Sequence, residues 1–62
     1  MDIKEIIKLD NEVISNELFE ELEQVEGLYI QFNGLSGYYT NYYWYTLIIE
    51  ETNQEVEVYL EN

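Results

Sequence analysis

An α+β fold, with one helix packed on a small antiparallel sheet, is predicted by three features of this 62-residue chain. Apolar residues recur at helical spacing in a single clear stretch, residues 15–26. Alternation at period two governs 28–33, and aromatic and β-branched residues dominate 38–50. Between these stretches lie short clusters of Asn, Gly, Ser, Thr and acidic residues of the kind that make turns. The element order is β-β-α-β-β-β, and a chain this short makes one domain, 1–62.

Residues 6–15 read IIKLDNEVIS. Asp10-Asn11 is turn chemistry between two apolar runs, which favours a hairpin with strands over about 3–9 and 12–14. A first helix is the rival. Asp2 is placed to cap it, Glu5 stands three residues on, and Ile3, Ile6 and Ile7 share a helical face.

The next stretch, SNELFEELEQVEG, predicts a helix over 16–25. Ser15 is an N-cap, and Ile14 and Phe19 stand at the spacing of a hydrophobic staple. Leu18, Leu22 and Val25 form one stripe with Phe19 beside it, and Gly27 is a C-terminal stop.

A strand is predicted over 28–33, with Leu28, Ile30 and Phe32 on one side and Tyr29 and Gln31 on the other. A loop over 33–37 leads to a long strand, 38–50, a turn over 51–54 and a last strand, 55–61. Placing Glu50 opposite Glu55 brings Ile49 to Val56, Leu47 to Val58 and Tyr45 to Leu60 on one apolar face. The helix stripe can cover that face. The other carries Tyr42, Trp44, Thr46 and Ile48 with Glu57, Tyr59 and Glu61, and no obvious element is left to cover it.

Charge divides the chain sharply. Residues 27–49 hold no Asp, Glu, Lys or Arg, yet hold six of the seven tyrosines and the only tryptophan. All fourteen acids and both lysines lie outside that stretch, and the net charge is −12. With only Lys4 and Lys8 as cations, direct nucleic-acid binding and attraction to an anionic membrane are both disfavoured. Such a charge steers toward positive surfaces, and in cells many of these belong to proteins that bind nucleic acid. The N-terminus lacks the apolar core of a signal peptide, and polar residues interrupt the uncharged centre, so no membrane span is expected and the bacterial cytoplasm is the expected location.

Cysteine and histidine are absent. That removes the commonest general base, the strongest side-chain nucleophile and every thiolate metal site, so no enzyme activity, cofactor or metal is expected. Carboxylates near the last turn (Glu50, Glu51, Glu55, Glu57) have no spacing resembling a calcium loop.

Two candidate surfaces remain. Glu17, Glu20, Glu21, Glu23 and Glu26 crowd the helix, with like charges at i, i+3 and i, i+4 spacings that cost about 0.2–0.5 kcal/mol each. The array is either a solvated face or an imitation of duplex phosphates, which carry one charge per about 1.7 Å of axis. Tyr42, Trp44, Ile48 and Tyr59 form the second surface, with Tyr29, Tyr38 and Tyr39 nearby, in residue types that dominate interface hot spots. It serves a homodimer or a protein partner, or packs within the monomer.

The run Ser15-Asn16-Glu17-Leu18-Phe19-Glu20-Glu21-Leu22, set in a strongly acidic chain, resembles the helix start of small phage-encoded inhibitors of uracil-DNA glycosylase. The likeness covers about a third of the chain, and the aromatic stretch Tyr38–Glu50 departs from it. It implies a dimeric DNA mimic in which Phe19 and Glu20 contact the target. Length, charge and composition are more loosely similar to anti-CRISPR and other anti-defence proteins of phages.

Two functions are therefore expected. One is a non-catalytic, phage-type inhibitor that blocks a basic nucleic-acid-handling or defence protein. The alternative is a self-associating structural or adaptor module whose acidity only confers solubility.

Overall fold

The computed structural model describes residues 1–37 and 39–61. It is α+β: a helix and a short N-terminal helix lie against a four-stranded sheet. The elements are α1 (Ile3–Ile7), β1 (Glu12–Ile14), α2 (Asn16–Glu23), β2 (Leu28–Leu35), β3 (Tyr42–Ile49) and β4 (Gln54–Glu61). The sheet order is β1-β4-β3-β2.

At the N-terminus the helix prevails over the hairpin strand expected at 3–9. The Asp2 carboxylate accepts the Glu5 N–H at 2.9 Å, and the Glu5 carboxylate accepts the Asp2 N–H at 3.3 Å. This capping box satisfies two donors that a helix start would leave unpaired. A strand would also have sent the adjacent Ile6 and Ile7 to opposite faces, whereas the helix buries Ile6 and packs Ile7 beside it. Asp10-Asn11 is a turn, but it ties α1 to the sheet instead of closing a hairpin. Asn11, at φ 65°, donates its N–H to the Glu57 carbonyl at 2.6 Å, and Asp10 accepts the Glu57 N–H at 2.9 Å.

Strand β1 forms at 12–14 as expected. Its partner is β4, and the pairing is parallel, Glu12 to Val58 and Ile14 to Leu60; every other pairing in the sheet is antiparallel.

The Ser15 hydroxyl accepts the Leu18 N–H at 3.1 Å and starts α2. The helix stops at Glu23, two residues short of expectation. Gln24 and Val25 donate to the Glu21 and Leu22 carbonyls, i→i−3 bonds that tighten the end. Gly27, at φ 79°, lies past the cap and turns the chain into β2.

Strand β2 runs two residues beyond the expected Asn33 because it contains a bulge. Phe32 pairs with Tyr45 and Leu35 with Tyr43, so Asn33 and Gly34 together oppose Trp44, with Gly34 at φ 95°. After the bulge, β3 begins at Tyr42 instead of the expected Tyr38, which lies outside the described residues. The Ser36 N–H closes the loop on the Tyr42 carbonyl at 2.8 Å.

The last hairpin has a four-residue loop, Glu50-Glu51-Thr52-Asn53. Asn53, at φ 61°, donates to the Ile49 carbonyl at 2.7 Å. Ile49 therefore faces Gln54, Leu47 faces Val56, Tyr45 faces Val58 and Tyr43 faces Leu60. Every pair is shifted two residues from expectation. A shift of two preserves side-chain parity, so the two faces hold the expected residues. The core is Ile6, Ile14, Leu22, Leu47, Ile49, Val56, Val58 and Leu60, with Leu18, Phe19 and Val25 of the helical segment packed on it.

Candidate functional site

Strand alternation puts Tyr42, Trp44, Thr46 and Ile48 of β3 on the face away from α2. Their cross-strand partners on β4 are Glu61, Tyr59, Glu57 and Glu55, in that order. From β2, Tyr29 stands opposite Ile48 and Gln31 opposite Thr46; from β1, Val13 stands opposite Tyr59. The four predicted aromatic-face residues, Tyr42, Trp44, Ile48 and Tyr59, are thus brought together on one surface, with a row of three carboxylates on the next strand.

No helix covers this face, yet it is not bare. Tyr42, Trp44 and Ile48 are half-buried, and Tyr59 is only 8% exposed. The cover comes from Tyr39, between β2 and β3. Its ring stands edge-on to Tyr59 at 4.9 Å and tilted against Tyr42 at 5.6 Å. The Ser36 hydroxyl accepts the Tyr39 N–H at 3.1 Å and fixes the loop. Beside them, Asn33 Nδ2 donates to Thr46 Oγ1 at 2.7 Å, tying the bulge to a threonine that is 6% exposed. Trp44 Nε1 is buried and finds no acceptor among the described residues.

The acidic array lies elsewhere. Glu17, Glu20, Glu21 and Glu23 are on α2 and Glu26 follows it; all five are exposed. Because α2 packs on the opposite side of the sheet, a partner lying flat on Trp44 cannot also lie on these glutamates. The two predicted surfaces are not one site.

A second aromatic group lies on the helix side, where Tyr45 and Phe19 were expected but not as a cluster with Phe32 and Tyr43. Phe19 of α2 tilts against Tyr45 at 4.7 Å, and Phe32 meets Tyr45 at 5.3 Å and Tyr43 at 5.5 Å. Its signal was the shared parity of Tyr43 and Tyr45 with Leu47, and of Phe32 with Leu28 and Ile30. Burial foremost, then the neighbouring Tyr43 and Glu23, pushes the Tyr45 phenol above its ordinary pKa. Phe19 is half-buried in this group while Glu20 is exposed, so the residues picked out by the inhibitor resemblance differ in accessibility.

Among the described residues, no group of three acidic, histidine or cysteine side chains is placed to hold a metal ion. No helix among them is long and apolar enough to cross a membrane. No protein-family model, curated protein or solved structure matches this chain.

Proposed function

We propose that this protein is a non-catalytic inhibitor that holds an arginine- or lysine-bearing segment of a nucleic-acid-handling protein on its helix-free sheet face. The observation that carries this reading is the register of β3 and β4. It sets Glu55, Glu57 and Glu61 beside the Tyr42–Trp44–Ile48 row on one surface. Aromatic faces with adjacent carboxylates fit cationic side chains, because the ring attracts the charge while the carboxylate pairs it. The remaining acids, those of α2 included, supply the long-range field that raises the association rate.

Trp44 is the only tryptophan, so its fluorescence reports on the face directly. The test is titration with an arginine-rich peptide at several salt concentrations. The triple variant Glu55→Gln, Glu57→Gln, Glu61→Gln is compared with the quadruple variant Glu17→Gln, Glu20→Gln, Glu21→Gln, Glu23→Gln. The face variant is expected to weaken binding about tenfold or more, equivalent to about 1.4 kcal/mol. The helix variant is expected mainly to flatten the salt dependence. The opposite ranking would move the site to α2 and favour duplex mimicry by its glutamates.

A further inference from the structure

We propose that two copies of this chain join through the outer edge of β2, antiparallel and in one register, extending the sheet across a two-fold axis at Ile30. The inference is independent of the basic partner proposed above and uses a different surface.

The sheet order leaves β2 with a neighbour on one side only. Glu50 donates to the Gly27 carbonyl at 2.9 Å, which fixes the hydrogen-bonding phase of the β2–β3 ladder. Gly27, Tyr29 and Gln31 direct their backbone groups toward β3. The N–H and C=O groups of Leu28, Ile30 and Phe32 consequently point outward, away from the sheet. Such a row is a template for another strand.

Three observations select a second copy as the occupant. First, Leu28–Leu35 carries no ionised side chain, in a chain of net charge −12. A basic partner gains nothing from this edge, whereas two equally acidic molecules meet there without opposing carboxylates. The other edge, β1, has three residues, one of them Glu12. Second, the outward residues are self-complementary about Ile30. A two-fold axis there sets Ile30 against Ile30, Leu28 of one copy against Phe32 of the other, and Tyr29 against Gln31. Each outward residue then donates one bond and accepts one, as an isologous contact requires. Third, the most exposed large apolar residues among those described all lie on this strand: Leu35 at 65%, Phe32 at 59% and Tyr29 at 55%. Apolar exposure concentrated on one edge usually marks an interface. The Asn33–Gly34 bulge ends regular pairing just beyond Phe32 and so limits the join to one dimer contact instead of a slipping array.

Sedimentation equilibrium over a wide concentration range, combined with amide hydrogen exchange by NMR, tests this. A dimer is expected, and added salt should strengthen it by screening like charge, whereas salt should weaken binding of the arginine-rich peptide. The amides of Leu28, Ile30 and Phe32 should exchange quickly in dilute samples and slowly in concentrated ones. Those of Tyr29 and Gln31 should be protected in both. Phe32→Pro removes an outward donor, and Phe32→Glu brings a charge to the join. Each should weaken the dimer about tenfold or more. Should either variant fail to fold, the alternating exchange pattern of the unaltered chain still decides. A monomer at every concentration, or a dimer in which Leu28, Ile30 and Phe32 still exchange freely, overturns the proposal whatever the outcome with the peptide.

Discussion

The two faces of the sheet are closed by different means. Beneath the helices, Ile6, Leu22, Leu47, Val56 and Val58 are fully buried and aliphatic. On the reverse face a loop supplies the Tyr39 ring over Tyr42 and Tyr59, and the rest of the described surface mixes half-buried aromatics with carboxylates. The first closure is what holds a small domain together. The second is partial, and a partial closure leaves a surface that another molecule can finish. Burial by a helix and burial by a loop differ in what they stabilise, and substitutions on the two sides should separate them.

The largest effect is expected on the helix side. Leu22→Ala removes a side chain with no exposure and should cost about 2–5 kcal/mol. That is comparable to the whole stability of a domain this size, roughly 3–9 kcal/mol at about 0.05–0.15 per residue. Urea denaturation should show a poorly folded or unfolded chain. On the reverse face Tyr39→Ala removes two ring contacts and should cost about 1–2 kcal/mol, with Tyr59 newly accessible to solvent. A loss as large as that of Leu22→Ala would mean that both faces are core.

Trp44→Phe sharpens the comparison further. The indole N–H is buried without an acceptor among the described residues, a state that costs about 1–3 kcal/mol. Removing it should offset most of the lost ring area, leaving stability within about 1 kcal/mol of the parent.

Two smaller effects belong to the helix side. Glu21→Lys turns the Glu17–Glu21 repulsion into an i, i+4 attraction and should raise stability by about 0.5 kcal/mol, less in high salt. Tyr45 has a phenol pKa raised in the fold. The unfolded chain therefore loses its proton first, at about pH 10. The stability this group confers is complete below that pH and is lost as pH rises to the folded value. Tyr45→Phe should flatten the alkaline limb of a stability–pH curve and leave the neutral region unchanged.

Which residues share a face was legible in the sequence, because alternation alone decides it. Which residues face each other was not. The register depends on where the four-residue turn sits: expected over 51–54, it falls over 50–53 with Asn53 in a left-handed conformation, and that one-residue slip moves every pair by two. The same logic separates the ends of the chain. The capping box of Asp2 and Glu5 is a local signal and could be read. The parallel pairing of β1 with β4 joins Glu12 to Val58, and no local pattern announces a contact at that separation. Tyr39 was expected near this face, but as part of the strand over 38–50; its place over Tyr59 was not legible, because the residue sits in a loop, where no periodicity assigns a direction. On the acidic surface, composition revealed the charge, but only the side on which α2 packs shows that its glutamates and Trp44 look in opposite directions.

The bond pair that clamps Asp10 and Asn11 to Glu57 has a kinetic consequence. Strands β2, β3 and β4 follow one another as a meander and can assemble from near neighbours in the chain. The N-terminal arm must instead find a strand more than forty residues away, so its docking carries the largest loop-closure entropy. It should be the last part to settle and the first to lift away. When it lifts, the far edge of β4 and the apolar contacts of Ile6 and Ile14 open together.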